Sequence, residues 1–152
     1  MNLLGELLTA GGGFLLAVLW FDLIFDTQAL GAPRDGPLPE PVLASIAAYY
    51  KRVTTDANPM GRLVGAGMMC TIACAVLDLF VGKSALVWRI VSLPLLGVPV
   101  FFAARRIFPN AQRLGARTDP VEEQSRLARS IARDHVACLV AIVAFLAVQL
   151  LG

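Results

Sequence analysis

The chain is 152 residues long, 57% apolar and 16% charged, with a net charge of +2 and a mean hydropathy of +0.70. Soluble domains run at about 45–50% apolar and about 25% charged, so this composition points to lipid and excludes an ordinary soluble domain. The small net charge excludes a nucleic-acid partner, and the three cysteines, Cys70, Cys74 and Cys138, all sit in apolar runs and form no disulfide framework.

Leu7 to Phe25 is almost unbroken apolar sequence, and about 20 such residues cross a bilayer as a helix. This predicts a first span at about 7–26. No positive stretch precedes it and no small-residue cleavage site follows, so it reads as an uncleaved span. Gly11, Gly12, Gly13 and Ala17 offer a face where another helix backbone can come close. Residues 27–41 then carry Gly31, Pro33, Asp35, Gly36, Pro37, Pro39 and Pro41, which is loop chemistry.

Val42, Leu43, Ile46, Tyr50 and Val53 recur at helical spacing with polar residues between them. This predicts a short amphipathic helix in the headgroup plane, with Tyr49 and Tyr50 as interfacial anchors. Asn58 and Pro59 make a cap and first turn, opening a second span at about 60–82 with small residues Gly61, Gly65 and Gly67. A turn at Gly82-Lys83-Ser84 leads to a third span at about 85–104, where Pro94 and Pro99 predict kinks. Asp78 and Arg89 flank that turn and are expected to pair across it.

The one long charged segment, 105–134, follows. Asp119 as cap and Pro120 at the first helical position signal a helix start. Val121, Gln124, Leu127, Ala128 and Ile131 then mark one face and Arg126, Arg129 and Arg133 another. That helix is expected to run unbroken into a fourth span at about 135–151. The expected fold is all-α: a single integral-membrane domain over 1–152, a four-helix transmembrane bundle with two cytoplasmic amphipathic helices in loops 27–59 and 105–134.

Orientation follows from the lysines and arginines. One side receives Arg34, Lys51, Arg52, Arg62, Arg105, Arg106, Arg113, Arg117, Arg126, Arg129 and Arg133; the other receives only Lys83 and Arg89. Positive residues stay in the cytoplasm. Both loops are therefore expected there, with both termini outside, as in a multi-pass protein of a bacterial inner membrane.

That topology brings polar groups from all four spans to one depth. Asp22 and Asp26, four residues apart, share a helix face. His135, the only histidine, opens the fourth span. Arg105, Arg106 and Asn110 close the third, and Arg62 opens the second. A short aspartate cannot reach the headgroups as arginine can, and at mid-span it costs about 2.5–3.5 kcal/mol. Asp22 is therefore expected to turn inward toward Arg105, Arg106, Arg62 or His135. The candidate site has Asp22 and His135 handling protons, Arg105 or Arg106 steadying an anionic oxygen, and Asp26, Arg62, Arg106 and Asn110 binding substrate. The same groups also fit a structural collar of ion pairs. Two carboxylates and one histidine form a poor metal set without a second histidine, so no metal and no other cofactor is expected.

The order of an apolar span, Phe108-Pro109-Asn110, Leu114, an acidic amphipathic helix and His135 at the start of a last span resembles the anthrone oxygenase-like family of small four-helix membrane proteins. The resemblance covers about residues 60–150. It implies that a Pro-Asn turn ends the third helix, and a cofactor-independent oxygenation of a polycyclic aromatic beside His135 and Asn110. Where that pattern has a tryptophan and an arginine, this chain has Ile131 and Cys138.

Three functions remain open on the sequence. The first is a cytoplasmic-side pocket for a hydrophobic small molecule or lipid. The second is a non-catalytic subunit docking a partner span on its glycine faces, and the third a small dimeric transporter hinged at Pro94 and Pro99. Membrane lipids are partners in each, and a homo-oligomer or a partner membrane subunit in the last two.

Overall fold

The computed structural model describes residues 3–32 and 36–151, and of Asn58 only the backbone. Pro33, Arg34 and Asp35 of the predicted loop and the Asn58 side chain lie outside the described residues.

Helix α1 covers Leu3–Gly31, α2 Glu40–Lys51, α3 Asn58–Val81, α4 Leu86–Phe102, α5 Phe108–Ala116 and α6 Val121–Leu151, with single π-helical turns at Arg52–Asp56 and Ala103–Ile107. There is no strand among the described residues. Among the described residues, four helices are long and apolar enough to cross a membrane: Leu3–Gly31, Pro59–Val81, Leu86–Ala116 and Val121–Leu151.

The third of these is longer than the sequence implies. Pro109 has no N–H to give a carbonyl one turn back, and the expected outcome is a turn that ends the helix there. Instead, the Phe108 N–H bonds the Ala103 carbonyl, five residues back, and Pro109 falls in the first turn of α5, where a missing donor costs nothing. The π-helical turn absorbs the proline, and α4 and α5 continue as one rod.

The four long helices alternate in direction. Gly11 and Gly12 of α1 explain two close approaches. A Cβ on Gly12 would meet Leu146 Cδ2 at 2.7 Å and Phe145 Cε1 at 2.9 Å on α6, and Gly11 abuts Thr71 on α3. Phe14 in turn lies over Gly67. Helix α4 closes the ring against α6 and α3. Across the α4–α6 seam, Gln149 Nε2 donates to Ser92 Oγ (2.7 Å), which donates to the Trp88 carbonyl (2.9 Å). The bundle core holds Leu8, Leu15, Ala75, Leu96, Ile142 and Phe145. Its outside is as apolar as its inside: Trp20, Phe21, Leu63, Met69, Phe80, Phe101 and Val140 are each about three-fifths exposed or more. Soluble monomers do not show apolar patches of this extent.

A second core sits at one end, where α2 and α5 pack on the end of α1 and the first half of α6. Leu43, Ile46, Ala47 and Tyr50 of α2, at helical spacing, are all buried. The apolar face assigned to the headgroup plane is therefore turned against protein, and α2 is a cap on the bundle. Gly115 lets α5 approach the α2 backbone, since a Cβ there would sit 2.7 Å from the Lys51 nitrogen. Arg117 ends α5 in the left-handed region (φ 55°) and grips both Glu40 oxygens at 2.8 and 2.9 Å.

Two local expectations are corrected. Asp119 does not cap α6 through its carboxylate, which bonds Arg113 (3.0 Å). Arg89 reaches the Asp78 and Leu79 carbonyls (3.2 and 3.0 Å) and not the Asp78 carboxylate. It ties off the α3 C-terminus, where a cation suits the exposed carbonyls.

Candidate functional site

The two cores meet at a buried polar cluster built from α1, α2 and α6. Helix α1 presents Asp22 and, one turn on, Asp26; α6 presents His135 from the opposite side. Asp26 is fully buried, and a carboxylate removed from water needs partners for both oxygens. It has them. Tyr50 donates its hydroxyl to Asp26 Oδ1 at 2.6 Å, and His135 Nδ1 lies 2.6 Å from Asp26 Oδ2. A carboxylate only accepts, so the proton of that second bond belongs to Nδ1. Tyr49 makes the parallel contact, donating to Asp22 Oδ1 at 2.6 Å while stacking on Phe25 with ring centroids 4.1 Å apart.

Asp22 Oδ2 and His135 Nε2 are 3.7 Å apart, beyond hydrogen-bond reach. Neither satisfies the other, and both residues border a cavity of about 50 Å³. The rest of its wall is apolar: Leu15 and Val18 from α1, Met68 from α3, and Pro99 and Val100 from α4. Ala103 and Ile107 of the π-helical turn and Cys138 of α6 complete it near the cluster. A π turn widens a helix locally and is common at functional sites; here it sits opposite His135. The Cys138 thiol, 3.9 Å from the Pro99 carbonyl, helps to hold α6 on α4 at this level.

Both tyrosines stay protonated and remain donors. Burial, followed by the nearby Asp26 and Asp22 carboxylates, pushes the Tyr50 phenol well above its ordinary value. Burial and then Asp22 do the same to Tyr49. Two neighbouring phenols that cannot easily ionise thus hold two carboxylates in place.

Of the residues singled out from the sequence, the structure brings together Asp22, Asp26 and His135. It leaves out the arginines and Asn110. Arg105 and Arg62 are exposed and make no ion pair among the described residues. Arg106, half exposed, pairs with Asp134 at 3.2 Å and lies over the Phe102 ring. Asn110, partly buried on α5, makes no hydrogen bond to the cluster. Long guanidinium side chains reach the polar surface from these positions, so the aspartates turn instead to tyrosine and histidine. Tyr49 and Tyr50 are the members that sequence reasoning missed. The available signal was their place on the amphipathic helix at the depth of two carboxylates that needed donors.

No group of three His, Cys, Asp or Glu side chains is arranged to hold a metal ion among the described residues. Compared with models of known families, with characterised proteins and with solved structures, the chain matches none.

Proposed function

We propose that this chain is a multi-pass membrane protein that binds a hydrophobic small molecule in the cavity beside Asp22 and His135, with His135 as its proton-handling group. The α2–α5 cap faces the cytoplasm and both termini face the other side, on the eleven-to-two division of basic residues. The observation that carries the reading is a nearly apolar cavity with one polar wall. This is the usual composition of a small-molecule site: greasy surroundings for affinity and a few fixed polar groups for orientation.

The chemistry follows from the cluster. Asp26 on Nδ1 fixes the ring and its tautomer, as a carboxylate does behind a catalytic or metal-binding histidine. Nε2 is then the nitrogen left for a bound molecule. Asp22, held by Tyr49, places a second acceptor beside it. The imidazole can exchange a proton at Nε2 with a head group lodged there.

Cavity size limits what enters. An engineered cavity of about 150 Å³ admits benzene, and this one is about 50 Å³. It takes a head group of a few atoms, with the tail outside. A polycyclic aromatic, as the oxygenase resemblance implies, is far larger, and Asn110 is not at hand to bind it.

Native mass spectrometry of the protein extracted from its own membrane tests the reading. We expect a bound small molecule at defined stoichiometry, lost when Ala103→Phe fills the cavity. A bare protein, or a bound mass unaffected by that change, refutes it. The subunit reading keeps one observation in its favour: Gly13 and Gly65 face open space. A second polypeptide retained in the same spectrum and lost in Gly65→Leu supports that alternative.

A further inference from the structure

We infer that the ligand of this cavity carries a primary ammonium group on an aliphatic tail and enters sideways, from the α3 side of the bundle, with its head on Asp22. The inference rests on the pocket reading above and adds the chemical class of the occupant.

Charge decides the class. No lysine or arginine lines the cavity; its chargeable groups are Asp22 and His135, and because His135 is already bonded to a second carboxylate, Asp26, the cluster stays net negative even with the ring protonated. An anionic head, whether a fatty-acid carboxylate or a phosphate, would meet that net negative charge, and like charges at short range in an apolar setting repel strongly. The two tyrosine hydroxyls near the cavity are already spent on Asp22 and Asp26 and have no proton left for an anion. What remains is Asp22 Oδ2, an acceptor with no hydrogen-bond donor of its own among the described residues, and beside it His135 Nε2, a second acceptor when Nδ1 carries the ring proton. A donor head bearing positive charge fits it, because a charge-assisted N–H···O bond is roughly twice as strong as a neutral one.

Size decides between ammonium groups. A cavity of about 50 Å³ holds an –NH₃⁺ and the first methylenes. A trimethylammonium is bulkier and has no N–H to give.

Exposure decides the route. The α6 wall, His135, Cys138 and Ile142, is buried. Val18 and Asp22 on α1, Met68 on α3, Val100 on α4 and Ala103 beyond it are partly exposed. The open side therefore lies away from α6, where α3 contributes only Met68 to the wall. A tail leaving there runs along the apolar outside of the bundle.

The single histidine makes the test clean. Protein labelled with ¹⁵N-histidine, in lipid nanodiscs, is titrated with decylamine, decyltrimethylammonium, decanol and decanoate, following the His135 ring signals. We expect a saturable shift with decylamine alone, weakened by at least about tenfold in Asp22→Asn and abolished in Ala103→Leu, which narrows the cavity without touching the cluster. Decyltrimethylammonium controls for charge and partitioning into the lipid. An equal response to it or to decanoate, or none to decylamine, overturns the inference. If decylamine fails while native mass spectrometry shows a bound molecule that Ala103→Phe displaces, the pocket stands and only the ammonium class falls. If both fail, the pocket falls with it.

Discussion

Asp26 Oδ2 lies 2.6 Å from His135 Nδ1, joining positions 109 residues apart where the bundle core meets its cap. Tyr50 completes the carboxylate from a third helix. Removing one member leaves the others buried without partners, which costs about 3–5 kcal/mol for a buried charged pair. We expect Asp26→Ala and His135→Ala each to lower the unfolding temperature markedly in mild detergent. The double variant should cost clearly less than the sum, because the second change removes a group already orphaned. Strict additivity would show that the two residues do not interact.

The chain has two tyrosines, and both belong to the cluster. In the folded protein both phenols are raised above the ordinary value near 10, so above that pH the unfolded chain binds fewer protons than the folded one. Their contribution to stability is therefore complete below about pH 10 and lost progressively as pH rises beyond it, more from buried Tyr50 than from partly exposed Tyr49, whose share solvent screens. Ultraviolet titration at the phenolate band should show almost no ionisation until the protein unfolds in alkali, followed by both together. A smooth titration of either near pH 10 contradicts the geometry.

Tyr50→Phe keeps the ring and deletes the hydroxyl that Asp26 accepts. The loss should be about 1.5–3 kcal/mol, as for a hydrogen bond to a charged group. Tyr49→Phe preserves the stack on Phe25, and Asp22 is less buried than Asp26, so its loss should be smaller. Chemical unfolding of the two variants side by side checks the order.

The glycines divide by what surrounds them. Gly12→Leu would drive a side chain into Leu146 and Phe145 and should disrupt the bundle, whereas Gly65 has nothing within 4 Å. Gly65→Leu should leave the melting temperature of the isolated chain within a few degrees of wild type. A large destabilisation from Gly65→Leu would mean that this face is covered.

In a background without Cys70, Cys74 and Cys138, a cysteine at Lys83 should react with an impermeant maleimide added outside intact cells. A cysteine at Arg117 should react only after lysis. The reverse pattern would invert the proposed orientation.

The four long helices and their alternation were legible because apolar length and basic-residue asymmetry are properties of the sequence itself. So was the meeting of Asp22, Asp26 and His135, since short carboxylates at membrane depth must find partners. The choice of partner was not legible. Arginines look electrostatically ideal, but Arg62 and Arg105 have stems long enough to reach the surface, while Tyr49 and Tyr50 lie on a helix whose docking depends on tertiary packing. The rod from Leu86 to Ala116 was hidden for a related reason. A proline ordinarily breaks a helix, and nothing local to Phe108-Pro109-Asn110 announces a π-helical turn that absorbs it.

The most direct test of the central claim is the ¹⁵N spectrum of the single imidazole in lipid nanodiscs. Asp26 and His135 bonded as described require a protonated Nδ1 with a strong hydrogen bond and slow exchange with water, both lost in Asp26→Asn. A bare Nδ1 with the proton on Nε2, or two ring nitrogens exchanging freely, would contradict the site and the function built on it.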